Sequence, residues 1–139
     1  MNSLNIMIIE DNKIVVMGIK KIYNKHIPDA VISTAENGLE AIELLSKTES
    51  LEDLPCFIIL DINMPIMNGI EFLEIIKKDD RLKQIPVVVH TTSSNQEDYK
   101  KCRALGISGY YVKDVDFSKY KDNLITIANY WNNSFRNKL

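Results

Sequence analysis

Cysteine is scarce in this sequence, which contains two cysteines in 139 residues. Cys56 and Cys102 show no CxxC spacing, and no histidine cluster lies near them, so neither a disulfide framework nor a zinc site is indicated. We interpret both thiols as reduced core side chains, which is the usual state of cysteine in the cytoplasm. The expected compartment is therefore cytoplasmic.

Long hydrophobic runs and an excess of charge of one sign are also absent. No apolar run approaches the ~20 residues that a membrane-spanning helix requires. Residues 1–11 lack the basic region and cleavage signal of a secretory peptide. The net charge of −2 gives no basis for non-specific contacts to nucleic-acid phosphates. We therefore expect neither a membrane nor a nucleic acid as a partner.

Glycine-rich phosphate-binding motifs and internal repeats are missing as well. No GxGxxG follows a predicted strand and no GxxxxGK[ST] occurs, which disfavours nucleotide binding. Apolar residues make up 45% of the chain and charged residues 26%, which is ordinary for a globular protein. A chain of this length can bury roughly 68% of its unfolded surface. We expect a single domain over residues 1–139, with no output domain after it.

What the sequence does contain is a regular alternation of short apolar runs and amphipathic stretches. The predicted strands cover residues 5–9, 30–34, 57–60, 86–92 and 108–112. Apolar residues at helical spacing predict a helix after each strand. This order, β-α repeated five times, predicts an α/β fold with a parallel sheet and helices on both faces.

Two of the predicted helices have apolar stripes that we expect to pack mainly in the core. The stripe of the first helix contains Ile14, Met17, Ile19 and Ile22. The stripe of the last helix contains Phe117, Tyr120, Leu124, Ile127, Trp131 and Phe135. The aromatic rim of the last stripe could also serve a partner or a second copy of the chain.

The apolar run Phe57–Leu60 leads directly into Asp61. A short continuous apolar run is typical of a strand that is buried on both faces, although a buried helix segment can show the same pattern. Length favours the strand, and so do Pro65 and the turn signal Asn68-Gly69. Open α/β folds place their chemistry at the carboxyl ends of their strands. We therefore predict that Asp61 is the reactive group.

Polar side chains follow three other predicted strands in the same way. Glu10 and Asp11 follow the first strand, Thr91 ends the fourth and Lys113 follows the fifth. These strand ends converge on one crevice in a doubly wound sheet. Carboxylates that meet there need a cation. Oxygen ligands are preferred by Mg²⁺, whereas zinc is usually bound by histidine and cysteine. Calcium is less favoured because the sequence contains no EF-hand spacing. A carboxylate beside Mg²⁺, a hydroxyl and a lysine can act as the nucleophile on a phosphoryl group.

At these spacings the sequence resembles the receiver domain of two-component response regulators, the CheY-like family, over essentially its whole length. The resemblance is carried by Glu10-Asp11, the block Asp61-Ile-Asn-Met-Pro65 with Gly69, Thr91 after Pro86-Val-Val-Val, and Gly109-Tyr110-Tyr-Val-Lys113. It implies the flavodoxin-like fold, a doubly wound five-stranded parallel sheet of order 2-1-3-4-5 with five helices.

The resemblance also implies a role for each of these residues. Asp61 would be the phosphoacceptor, Lys113 would contact the acyl phosphate, and Thr91 and Tyr110 would form the switch pair. The implied ligands of a Mg²⁺ cofactor are Glu10, Asp11, Asp61 and the backbone carbonyl of Asn63. The chain would then be a signalling switch rather than an enzyme, although it would catalyse its own phosphorylation and a slow autodephosphorylation.

The implied partners are proteins. The phosphodonor would be a phosphohistidine on a sensor histidine kinase or a histidine phosphotransfer protein. Phosphorylation would change the face formed by the fourth helix, the fifth strand and the fifth helix, which would contact an unknown downstream protein or a second copy in a homodimer. The segments HTTSSNQED and LGISGYYVKD and the ending at Trp131 are similar to stand-alone regulators that are paired with bacterial phytochromes.

The sequence departs from the family pattern at Lys113-Asp114, where the family usually has Lys-Pro with a cis peptide bond. A cis bond before a residue other than proline costs ~2.5–4 kcal/mol, so we expect a trans bond and a different approach of the lysine. Thr92 stands where the family often has a smaller residue, and it could narrow access to the phosphate.

Two other functions stay open at this stage. A hydrolase that resembles the haloacid dehalogenases would also form an aspartyl phosphate, but the position of its acid/base carboxylate is occupied by Asn63, which cannot transfer a proton in that way. A degenerate receiver would dock partners independently of phosphate, and the complete set of residues argues against it.

Overall fold

The structure is a computed structural model that describes residues 3–137, with side chains described as far as residue 134. The side chain of Phe135, which the sequence assigns to the last apolar stripe, therefore lies outside the described part. The strands are β1 (Asn5–Ile9), β2 (Val31–Ala35), β3 (Phe57–Leu60), β4 (Val87–Thr91) and β5 (Gly109–Val112). The helices are α1 (Lys13–His26), α2 (Gly38–Lys47), α3 (Gly69–Ile76), α4 (Gln96–Ala104) and α5 (Phe117–Asn137), with a short 3₁₀ helix at Leu51–Asp53.

The five strands form one parallel sheet in the order β2-β1-β3-β4-β5. The predicted flavodoxin-like α/β fold is therefore confirmed. The bounds of β1 and β3 agree with the prediction, while those of the other strands move by one residue at one or both ends. Pro86 shows why β4 begins late: its carbonyl accepts a hydrogen bond from the Ile58 N–H, but its ring nitrogen has no hydrogen to donate.

Side chains of each strand alternate between two hydrophobic cores, one on each face of the sheet. Phe57 and Ile59 of β3 pack on the face that carries α1 and α5, which we call the α1–α5 face. Ile58 and Leu60 pack on the opposite face, against α2, α3 and α4. Because both faces are covered, β3 is buried along its whole length, as its continuous apolar run predicts.

The prediction that Ile14 and Met17 belong to the buried stripe of α1 is wrong, since both side chains are exposed. The helix packs through Ile19, Ile22 and Tyr23 instead. At about 100° per residue, positions 14 and 17 lie roughly 140–160° around the helix from Ile19, on its outer side.

The stripe of α5 is buried at Leu124 and Ile127 but not at its beginning. Phe117 is exposed, contrary to the prediction, because it is the first residue of the helix and stacks on Tyr120 at the edge of the core, with ring centroids 6.2 Å apart.

Within residues 3–137 the backbone contains no cis peptide bond, so the link between Lys113 and Asp114 is trans. None of the helices in that part of the chain combines the length and the apolar character needed to cross a membrane.

Candidate functional site

Three carboxylates meet at the carboxyl ends of β1 and β3. Glu10 and Asp11 follow β1, Asp61 follows β3, and one carboxylate oxygen of each lies within 4.8 Å of the others. The strand pairing continues into this site, since the Asp61 N–H donates a hydrogen bond to the Ile9 carbonyl at 3.0 Å. Glu10 and Asp61 are buried, with 4% and 7% of their surface exposed, whereas Asp11 faces solvent. The sequence-based expectation that these three carboxylates lie together agrees with this geometry.

The chemistry of these donors fits a divalent cation. Two oxygens bound at 2.0–2.1 Å to one Mg²⁺ are at most about 4.2 Å apart. The observed spacing of 4.8 Å or less is close to that value, so small side-chain rotations would bring the oxygens to one ion. Asn63 is exposed two residues after Asp61, in the loop that leads to α3, and its carbonyl stays a predicted ligand.

Lys113, the residue that follows β5, supplies a positive charge to this carboxylate cluster. Its Nζ lies 2.5 Å from Glu10 Oε1 and 3.6 Å from Asp61 Oδ2. The position of the lysine is set by the end of the β4–β5 ladder, because the Lys113 N–H donates to the Thr91 carbonyl at 2.6 Å. The lysine therefore reaches the cluster although Asp114 follows it instead of proline.

The electrostatics show a site that is short of positive charge. Burial raises the pKa of Glu10 to about 7, and the charge of Asp61 adds to this rise, against the opposing effect of Lys113. Burial by itself would lower the pKa of Lys113, but the hydrogen bond that it donates to Glu10 and the charges of Asp61 and Glu10 outweigh burial and raise the pKa. One ammonium group does not balance three carboxylates, which favours binding of a further cation.

The loop after β3 fixes the orientation of Asp61. Its Oδ1 accepts a hydrogen bond from the Ile62 N–H at 2.8 Å, which leaves Oδ2 as the oxygen nearer to Lys113. The capping box of α3, formed by Asn68 and Glu71, starts the helix at Gly69. A Cβ at Gly69 would lie 2.4 Å from the Asp61 carbonyl oxygen, so only glycine allows the helix to begin this close behind Asp61.

Thr91 and Tyr110 do not contact each other through a direct hydrogen bond among the described residues, but both bond to Ser93. The buried Thr91 hydroxyl accepts from the Ser93 N–H at 3.2 Å, and the Tyr110 hydroxyl donates to the Ser93 carbonyl at 3.0 Å. Ser93 also donates from its own hydroxyl to Asp98 of α4 at 2.7 Å. Sequence reasoning missed Ser93, although a serine directly after a strand is a common turn residue and was a usable signal.

His90 is a second residue near these strand ends to which sequence reasoning assigned no role. The side chain is 1% exposed, and neither ring nitrogen has a hydrogen-bond partner within residues 3–137. The pKa of His90 is lowered to about 4, mainly by burial and also by the nearby charge of Lys113, while the charge of Asp61 acts in the opposite direction. The imidazole is therefore neutral at physiological pH.

We expect His90 to make the fold less stable in mild acid. The unfolded chain binds this proton near pH 6.5 and the folded chain near pH 4, so stability is present above pH 6.5 and is lost as the pH falls. A difference of 6.5 − 4 pH units corresponds to about 3 kcal/mol at full effect. Urea unfolding between pH 7 and pH 4 should show a steeper loss for the parent than for His90→Leu, and parallel profiles would contradict the expectation.

Comparison with known families gives one consistent result. The family model for the response regulator receiver domain matches residues 6–125. The nitrate/nitrite response regulator protein NarL of Escherichia coli (strain K12) is 34% identical over 111 residues, which are 80% of this chain and 48% of that protein. The chain thus spans about half the length of that curated relative. The probable methanogenesis regulatory protein FilR2 of Methanothrix harundinacea (strain 6Ac) is 31% identical over 91% of this chain and 82% of its own length.

Solved structures agree in fold over nearly the whole chain. The phosphorylated cyanobacterial phytochrome response regulator RcpA superposes with a TM-score of 0.84 at 30% identity, covering 93% of this chain and 94% of its own. The Mn²⁺-bound form of the response regulator Rcp1 gives a TM-score of 0.82 at 29% identity, with 91% and 93% coverage. These two structures are of a phosphorylated regulator and of a regulator that holds a divalent cation.

Proposed function

The chain belongs to the family of response regulator receiver domains, and from that premise we propose that it accepts a phosphoryl group onto Asp61. The donor would be a phosphohistidine of a sensor histidine kinase or a histidine phosphotransfer protein in the cytoplasm. The observation that carries the proposal is the position of the Asp61 carboxylate: its Oδ2 lies 3.6 Å from Lys113 Nζ, and one of its oxygens lies within 4.8 Å of oxygens of Glu10 and Asp11. Receiver domains are signalling switches rather than classical enzymes, and self-catalysed phosphorylation is part of the proposal.

The transfer would use the free oxygen of Asp61. Oδ2 attacks phosphorus, the P–N bond of the donor breaks, and the departing imidazole keeps the electron pair and takes up a proton from solvent. Oδ1 stays bonded to the Ile62 N–H, which holds the carboxylate in one orientation. Lys113 can move from Glu10 to the transferred group, where its charge neutralises a phosphoryl oxygen.

A magnesium ion would neutralise charge on the phosphoryl oxygens when bound at this site. The residues proposed to hold it are Glu10, Asp11, Asp61 and the carbonyl of Asn63. Because the Glu10 carboxylate is shared between Lys113 and the proposed metal site, metal binding would free the ammonium group for the incoming phosphoryl group.

The proposed switch acts through Ser93. A phosphoryl oxygen on Asp61 would attract the Thr91 hydroxyl and compete with its bond to the Ser93 N–H. Movement of the Ser93 segment would release the Tyr110 hydroxyl, which donates to the Ser93 carbonyl. The result is a population shift of the face formed by α4, β5 and α5, which would bind a downstream protein or form a homodimer.

A bacterial phytochrome kinase is one candidate donor. RcpA is a cyanobacterial phytochrome response regulator. It is 30% identical to this chain, and its structure covers 93% of this chain. The same segments that the sequence shares with phytochrome-paired regulators lie on β4, α4 and β5, close to the proposed switch.

We test the proposal by mass spectrometry after incubation with a small phosphodonor such as acetyl phosphate. One phosphoryl group is expected on Asp61 with Mg²⁺, and none when a chelator is present. The variant Asp11→Asn removes an exposed carboxylate of the cluster, so we expect it to weaken Mg²⁺ binding by about tenfold or more.

The matched control is Asp29→Asn, which removes an exposed carboxylate from the loop between α1 and β2 at the opposite edge of the sheet. Its Mg²⁺ affinity should equal that of the parent. Labelling that is equally fast with and without Mg²⁺, or equal affinities for both variants, would contradict the metal site.

A further inference from the structure

His90, which is buried, and Tyr120, which is half-buried, form a pair of polar aromatic side chains beside the proposed phosphorylation site. Their ring centroids are 5.1 Å apart, with the ring planes inclined by 57°. Tyr120 lies in the first turn of α5 and packs against the core of the α1–α5 face. Neither residue belongs to the set that the family resemblance assigns to the reaction.

The strand register places His90 next to Asp61 on the same side of the sheet. Leu60 of β3 is paired with Val89 of β4, so the residues that follow them, Asp61 and His90, are neighbours across the two strands. Val88 packs on the α1–α5 face, and His90, two residues later, points to the same face as its contact with Tyr120 shows. Lys113 arrives beside them because its N–H bonds to the carbonyl of the next residue, Thr91.

The position of His90 is unusual for a core residue. A buried imidazole normally has at least one hydrogen-bond partner, yet both ring nitrogens of His90 lack one within residues 3–137. A leucine at this position would bury the same space without an unpaired polar group. A neutral imidazole, however, offers one acceptor nitrogen, and the phenol oxygen of Tyr120 offers another acceptor.

The charged groups of the site affect the pKa of both His90 and Tyr120. Burial raises the pKa of Tyr120, and the charge of Lys113 opposes this rise while that of Glu10 adds to it. The Lys113 charge also contributes to the lowered pKa of His90. Lys113 lies at the same strand ends as His90, since its N–H bonds to the Thr91 carbonyl, and its charge affects the pKa of both rings.

Lys113 carries three N–H donors, and its present partner is Glu10. When a divalent cation takes the Glu10 carboxylate, the ammonium group loses this acceptor. We propose that His90 and Tyr120 are positioning residues that accept hydrogen bonds from Lys113 and keep its ammonium group beside Asp61 once Glu10 has turned to the cation. This inference rests on the proposed function of Asp61 and assigns a role that the motif residues at the strand ends do not supply.

The first test observes His90 directly, without any phosphoryl transfer. We expect the side-chain ¹⁵N signals of His90 to shift when Mg²⁺ is added to the parent protein, because a ring nitrogen becomes a hydrogen-bond acceptor. The shift should be lost in Lys113→Met. His26 is the internal control, since it is exposed at the end of α1 and bonds to Asn129, so its signals should stay in place.

The second test measures phosphorylation by acetyl phosphate at saturating Mg²⁺. Tyr120→Phe keeps the ring that packs on His90 and removes only the hydroxyl, and His90→Leu removes both nitrogens. Each should lower the maximal rate by about tenfold, because a misplaced catalytic group slows transfer strongly. Mg²⁺ affinity should also fall, because the pair accepts Lys113 only when Glu10 binds the cation, and saturating Mg²⁺ keeps this effect out of the measured rate. His90→Gln retains an acceptor and should recover part of the rate.

A stability measurement distinguishes a positioning role of His90 from a role in packing the core. In urea unfolding without metal, His90→Leu should have a midpoint equal to or above that of the parent although its rate is lower. Tyr111→Phe is the matched control, because Tyr111 pairs with His90 in the β4–β5 register and packs against the same core. Its labelling rate should equal that of the parent.

The outcomes separate this inference from the proposed function. Parent rates at saturating Mg²⁺ in both Tyr120→Phe and His90→Leu, or rates that fall only together with the urea midpoint, would overturn the role of the pair. Absence of labelling in the parent and in Tyr111→Phe would overturn the phosphoacceptor proposal instead. In that case the ¹⁵N signals of His90 would still test the role of the pair. If these signals do not shift when Mg²⁺ is added, the proposed role of His90 and Tyr120 is wrong.

Discussion

Replacement of Asp61 by asparagine is expected to abolish phosphoryl labelling, lowering its rate by at least about 10³-fold. The amide of asparagine occupies nearly the same space as the carboxylate, but it is not a competent nucleophile toward phosphorus. Glu10 does not offer an equivalent free oxygen, because its Oε2 accepts from the Asn12 N–H at 3.2 Å and its Oε1 contacts Lys113, whose place the proposed cation would take. The measurement is intact-protein and peptide mass spectrometry after incubation with acetyl phosphate and Mg²⁺.

The same variant should keep the fold and become slightly more stable without metal. Asp61 raises the pKa of Glu10 by charge repulsion, and its neutralisation removes part of this unfavourable interaction. Asp53→Asn is the matched control, since this exposed carboxylate lies in the 3₁₀ helix at the amino-terminal edge of β3. We expect normal labelling of the control, and labelling of Asp61→Asn at the parent rate would contradict the proposed function.

The second large effect concerns Gly69, where alanine should lower the free energy of unfolding by about 3 kcal/mol. The added Cβ would lie 2.4 Å from the Asp61 carbonyl oxygen and 2.9 Å from the Ile62 Cα. These atoms belong to the backbone, so the clash cannot be relieved by rotation of a side chain. Urea unfolding followed by circular dichroism would measure the loss.

The clash should also slow phosphorylation, because the backbone that it displaces carries the proposed nucleophile, Asp61. We expect slower labelling of Asp61 in Gly69→Ala even under conditions where the variant is folded. Gly18→Ala is the control: no atom lies within 4 Å of its added Cβ, and alanine in the interior of α1 should stabilise the protein by about 0.5–1 kcal/mol. Equal stability of the two variants would show that Gly69 does not set the distance between β3 and α3.

The site residues could be predicted from the sequence because of a general property of parallel sheets. Glu10, Asp61 and Lys113 are 103 positions apart at the extremes, yet each follows the end of a strand, and all strand ends of one sheet share an edge. The apolar runs before these residues were sufficient to locate the strands. The carboxylate cluster could therefore be predicted from the spacing of hydrophobic residues along the chain, without knowing how the helices pack on the sheet.

The errors have a physical cause of a different kind. Ile14 and Met17 are apolar at a spacing that a buried stripe would also show, and only the position of α1 against the sheet decides that they face outward. Phe117 fits the stripe of α5 in sequence, but it lies at the first turn of the helix, where the core ends. Exposure depends on which side of a helix is covered, and this is not a local property of the sequence.

What the sequence by itself determined is the order of the elements, the strand that carries Asp61 and the motif residues at the strand ends. These features depend on local periodicity and on chain order, which any reader of the sequence can count. The tertiary structure alone decided that Ser93 joins Thr91 to Tyr110 and that the ring of His90 lies against that of Tyr120. Such contacts join residues from different elements, and their existence depends on strand register and helix docking, which arise only when the whole chain has packed.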